Sequence, residues 1–86
     1  MFTNRLSNGR NNVCGNRIAV RRKELKKSQR QLADMLQLSG LDIDKNAVQR
    51  IEAGKRFVTD VELVYFANVL NMTFDELLQE FPKSEK

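Results

Sequence analysis

The chain has no histidine, and among its 86 residues there is one cysteine and one tyrosine. Most metal-ligand sets and nucleophile–base pairs need those side chains, so no metal site, no cofactor and no small-molecule substrate is expected. The composition argues against an enzyme. Cys14 has no internal partner for a disulfide, which fits a reducing cytoplasm. No apolar run approaches the roughly 18 residues a membrane span needs. The first dozen residues are rich in Asn and lack the apolar segment of a secretory signal. The expected setting is therefore cytoplasmic, without a membrane. What the chain does have is a globular balance, 41% hydrophobic and 30% charged residues, at a length that suits one small domain.

The net charge is +4, and its distribution is uneven. Residues 1–31 carry nine Lys or Arg against one Glu, residues 32–59 four against four, and residues 60–86 two against six. A charge gradient this steep along a short chain points to a basic face for a polyanion; a solvated basic helix is the alternative.

Residues 1–12 contain four Asn, one Gly and two Arg without periodicity and read as a flexible arm. A first helix is expected over 16–26, with Ile18 and Leu25 on one face and the stem of Arg22 between them. Ser28 and Gln31 have capping-box spacing and open a second helix, which Leu32, Ala33, Met35 and Leu36 stripe and Ser39-Gly40 ends. Asp44 is a good N-cap for a third helix over 45–53, with Ala47, Val48 and Ile51 as its apolar side. Thr59 with Glu62 and Thr73 with Glu76 are further capping boxes, opening a fourth helix that runs to about Leu70 and a fifth that Pro82 stops. Leu63, Phe66, Ala67, Leu70, Phe74 and Leu77 follow core spacing. No segment alternates with period two, so the fold class is all-α.

The third helix has the chemistry to read DNA. One flank is apolar and can be clamped by neighbours. The other carries Lys45, Asn46, Gln49 and Arg50, side chain types that hydrogen-bond base edges: Asn and Gln pair with adenine, Arg and Lys with guanine. Lys55 and Arg56 follow at once, placed for phosphate. An ordinary surface helix would also expose Lys, Gln and Arg, so this helix alone leaves both readings open.

Further residues carry a resemblance. Ser28-Gln29 followed by Leu32-Ala33, Val48 through Ile51-Glu52, Gly54-Lys55-Arg56, Thr59-Asp60, Glu62-Leu63, Ala67, Leu70 and Phe74-Asp75-Glu76-Leu77-Leu78 occur in an order similar to the Cro/C1-type (XRE) helix-turn-helix regulators of bacteria and phages. The resemblance implies a compact five-helix, lambda-repressor-like domain over 13–81, followed by a tail over 82–86. It implies a third helix in the major groove of double-stranded DNA, and a homodimer on two half-sites. Carried over residue by residue, Lys45, Asn46, Gln49 and Arg50 match the base- and backbone-facing positions of the recognition helix and are the expected base readers. Gln29 matches a phosphate contact at a helix N-terminus, and Arg17, Lys55 and Arg56 would neutralise phosphates. Arg22 and Glu52 match an ion pair between the first and third helices. The expected role is a transcriptional regulator, most simply a repressor. The alternatives are a protein-interaction module derived from the same fold, or an antitoxin or mobile-element control protein.

Two departures stand out. Nineteen positions separate Ala33 from Glu52, a longer connection than the compact form of the motif. Arg21 and Lys27 stand where relatives often carry apolar residues, so their stems are expected to cover the core while the charges reach water. Cys14 is expected to be a small buried residue, and Met35 and Met72 core filler. The several apolar sides of the fourth helix suit either core or a dimer surface. Arg5 and Arg10 in the arm suit a solvated tail or the DNA backbone.

Overall fold

Side-chain oxygens at i, i+3 spacing decide where most of the helices begin. In the computed structural model, which describes residues 9–79, there are five helices and, among the described residues, no strand: α1 (Gly15–Glu24), α2 (Gln29–Ser39), α3 (Lys45–Glu52), α4 (Asp60–Leu70) and α5 (Phe74–Leu77). Arg5, Pro82 and the 82–86 tail lie outside the described residues. All three expected capping boxes form. Ser28 Oγ accepts from the Gln31 amide (3.0 Å) while Gln31 Oε1 accepts from the Ser28 amide (2.8 Å), and the Thr59–Glu62 and Thr73–Glu76 pairs repeat the exchange. Asp44 Oδ1 caps α3 by accepting from the Ala47 amide (2.9 Å).

The first four helices end alike. A left-handed residue follows each, and the next amide reaches five residues back: Lys27 to the Arg22 carbonyl, Leu41 to Leu36, Lys55 to Arg50 and Met72 to Ala67. This closure satisfies carbonyls that a helix end otherwise leaves without partners. Gly40 and Gly54 take the left-handed position freely, but Lys26 (φ 59°) and Asn71 (φ 55°) take it with side chains attached. Because Lys26 turns the chain, α1 stops at Glu24, two residues before the expected end.

Ile18, Leu32, Leu36, Val48, Ile51, Phe66, Leu70 and Leu77 are fully buried and, with Cys14, Ala33, Ile43 and Ala67, form the core. Each large aliphatic or aromatic member contributes about 1.5–3 kcal/mol of burial. The long α2–α3 connection is pinned at its centre: Ile43 sits in the core and its carbonyl accepts from Gln37 Nε2 (2.7 Å). α3 packs between α1 and α2, while α4 and α5 close the far side. Two core assignments shift. Leu63 is half-buried, and Phe74 is exposed because α5 is one turn long and turns Leu77 inward instead. Met35 and Met72 are half-buried, with Met72 packed on the core. Arg21 resolves one departure, its Nε donating to the Leu70 carbonyl (2.9 Å) where an apolar residue would make no bond.

Candidate nucleic-acid interface

Val48 and Ile51 anchor α3 from inside, and the helical period turns Lys45, Asn46, Gln49 and Arg50 to the opposite side, where all four are exposed. Positions 45 and 49, and 46 and 50, are i, i+4 neighbours on one stripe. Asn46, Gln49 and Arg50 line a shallow surface with Ala53 and Lys55. Toward the start of α3, Lys45 and Asn46 share a groove with Arg30, Asp34, Gln37 and Asp44 of the neighbouring α2 and its connection. Asp34 and Asp44 place two carboxylates on this edge. In the sequence Asp44 signals a cap alone and Asp34 signals nothing, since neither position shows what lies across the groove.

Glu52, on the inner flank of α3, is the hub that ties it to α1 and α2. Arg22 Nε donates to Glu52 Oε2 (2.7 Å) and Nη2 to Oε1 (2.9 Å), a two-pronged pair with both side chains about nine-tenths buried. The third nitrogen of Arg22 donates to the Lys27 carbonyl (2.8 Å). The bond to Glu52 raises the Arg22 pKa further, so this guanidinium is permanently charged. Gln29 Nε2 also donates to Glu52 Oε1 (3.0 Å), so part of the amide expected at phosphate is engaged inside the protein.

Two of the residues expected at phosphate, Arg17 and Arg56, have surroundings that the sequence does not signal. Arg17 lies five residues before Arg22, about 140° around α1. It lines a crevice with Val20, Arg21, Glu24, Asn71, Met72 and Glu76, on the side of the α4–α5 turn and not beside α3. Arg56 gives both terminal nitrogens to Glu62, at 3.1 and 3.0 Å, and one also to the Phe57 carbonyl. That hydrogen bond raises the Arg56 pKa and holds the Glu62 carboxyl below its ordinary range. The Arg56 charge is matched within the chain. Lys55 is exposed beside Arg50 and Ala53.

The last three residues of the expected arm are structured. Arg10, Asn11 and Asn12, read as part of a flexible segment, are hydrogen-bonded to the end of α3 and the turn after it. Asn12 is buried, and its Oδ1 accepts from the Gly15 amide (2.8 Å) at the start of α1. An Asn three residues ahead of a helical amide is the ordinary capping spacing, the one signal that could have placed it. Cys14 is buried and its thiol is pushed up to about 11 by desolvation, which keeps it neutral and unreactive. Beside these residues Val13, Phe57, Val58, Leu63 and Leu78 form an apolar groove, with Phe57 and Leu78 about half exposed.

Among the described residues no cluster of His, Cys, Asp or Glu is arranged to hold a metal ion, and no helix is long and apolar enough to cross a membrane. A helix-turn-helix family model matches residues 18–77, which takes in α1 from Ile18 through the whole of α5. Neither the curated proteins nor the solved structures gave a match.

Proposed function

The chain belongs to the Cro/C1-type helix-turn-helix family of DNA-binding regulators, and from that premise we propose that it is a sequence-specific transcriptional repressor. In this reading α3 enters the major groove of double-stranded DNA, with Lys45, Asn46, Gln49 and Arg50 against base edges. The observation that carries it is the exposure of those four side chains on one stripe of a helix whose other side is locked in the core. Lys55 and the free amide hydrogen of Gln29 meet phosphates at either side. Phosphate contacts supply affinity and salt sensitivity, and base contacts supply preference. The apolar groove around Phe57 and Leu78 suits a second copy of the chain, giving a homodimer on two half-sites.

Selection of bound duplexes from a random pool, repeated at two salt concentrations, tests this directly. A recurrent site with two symmetric halves is the expected result. Recovery of unrelated sequences with equal efficiency would remove base reading. The same groove favours a second reading, a module that pairs with another regulator. It predicts complexes with protein at low salt and no preferred duplex.

A further inference from the structure

We propose that Asn12, assisted by Arg10 and Asn11, is a positioning residue for DNA recognition: it fixes the C-terminal end of α3 and thereby the orientation of the base-reading stripe. This assignment rests on α3 being the helix that reads bases. α3 is eight residues long, about 12 Å, and too short to hold its own shape. Its start is fixed by Asp44 and its inner flank by Val48, Ile51 and the Arg22–Glu52 pair. Local amides reach the carbonyls of Gln49, Arg50 and Ile51, while that of Glu52 and those of the turn after α3 take donors from elsewhere, and Ile51 takes a second.

Three residues that precede α1 supply them. Asn12 Nδ2 donates one hydrogen to the Ile51 carbonyl (3.0 Å) and the other to that of Arg56 (2.8 Å). Arg10 Nη2 donates to the Glu52 carbonyl (2.9 Å), the Asn11 amide to Gly54 (2.8 Å) and Asn11 Nδ2 to Lys55 (3.3 Å). Five carbonyls from 51 to 56 are held from a segment about forty positions away in sequence. The positive charge of Arg10 also lies at the negative end of the α3 dipole.

Asn12 is the keystone because its amide works in both directions. Oδ1 accepts from the Gly15 amide while Nδ2 donates to α3 and to the turn, so one buried side chain joins the start of α1 to the end of α3. Aspartate offers the acceptor and no donor; serine keeps an acceptor for Gly15 and falls short of α3. The approach is close throughout. A Cβ on Gly15 would collide with the Ile51 carbonyl, and one on Gly54 would lie 2.7 Å from Cζ of Arg10. α1 therefore grips α3 twice, from its last turn through Arg22 and from just before its first turn through Asn12. Base-edge hydrogen bonds tolerate misplacement of about half an ångström, so slack at one grip degrades discrimination before it unfolds the domain.

The test uses the full chain with Asn12→Ser and Asn12→Asp, and Thr73→Ala as a control that removes a cap far from α3. Affinity for a duplex selected by the wild-type chain and for a scrambled duplex is measured at a temperature where circular dichroism shows every variant folded. Amide exchange is followed in parallel. Asn12→Ser is expected to lower the ratio of scrambled to selected Kd about tenfold, leaving scrambled binding within about twofold, with faster exchange at Gly54 and Lys55 and unchanged exchange in α4. Thr73→Ala should keep the wild-type ratio. Should Asn12→Asp fail to fold, Asn12→Ser, which retains an acceptor for the Gly15 amide, decides. An unchanged ratio in the Ser variant, or an equal loss in Thr73→Ala, overturns the assignment. If the wild-type chain itself selects no duplex, the base-reading premise falls and the positioning role with it, an outcome distinct from failure of the variants alone.

Discussion

Gln49 and Arg50 differ from Arg22 and Arg56 in one respect that governs what each can do: the first two face solvent, and the others are already engaged by carboxylates. Gln49→Ala and Arg50→Ala should each weaken binding to a selected duplex by about 1–3 kcal/mol and hardly touch a scrambled one, as titrations on both would read. Glu52→Ala strands a buried guanidinium and should destabilise the fold by about 3–5 kcal/mol in chemical denaturation. Glu62 sets a pH dependence. Its carboxyl is held below the ordinary range in the folded chain, so its contribution is present above the unfolded value and is lost as pH falls through the folded one. Thermal melts from pH 7 down into the acid range should show a steeper loss for the wild type than for Glu62→Gln; parallel curves would dismiss the pair as a source of acid sensitivity. The pairing of Arg22 with Glu52 was legible through family resemblance. The crevice that Arg17 lines and the pairing of Arg56 with Glu62 were not, because tertiary proximity decides where a long flexible cation lies, and local spacing does not encode it.

Element by element, the helix starts were the most readable feature. A capping box is an exchange between residues three apart, which Ser28, Thr59 and Thr73 each complete within a single turn, and Asp44 caps α3 by accepting from the Ala47 amide alone. Ends were less legible. Gly40 and Gly54 announce theirs, but Lys26 adopts the same left-handed backbone without a glycine to mark it. Lys26→Gly should relieve about 1 kcal/mol of strain and raise the melting temperature in a thermal melt. Phe74 shows a different limit: periodicity gives the spacing of a stripe but not the length of the helix that carries it. Beyond the spacing of Asn12 and Gly15, the segment 10–12 carries no sign of structure, because its other bonds are to residues about forty positions on and a run rich in Asn looks like loop wherever it goes.

At the level of the molecule, the charge gradient read from composition divides into engaged and available parts. Removing Lys55 should flatten the dependence of log K on log salt by about one unit, whereas Arg56→Ala should leave the slope nearly unchanged and lower stability instead. Fluorescence anisotropy across a salt series separates the two. Phe57→Ser together with Leu78→Ser should shift a dimer toward monomer in sedimentation equilibrium while leaving the helical spectrum intact. The absence of histidine carries over too: no side chain in the chain has an ordinary titration midpoint near neutrality. Cys14 lies 1% exposed between Val13, which lines the groove, and Gly15, which abuts α3. Its sulfur can meet an alkylating reagent only in the moments when that corner opens, so the pace of labelling becomes a built-in stopwatch for breathing at the junction, with and without DNA.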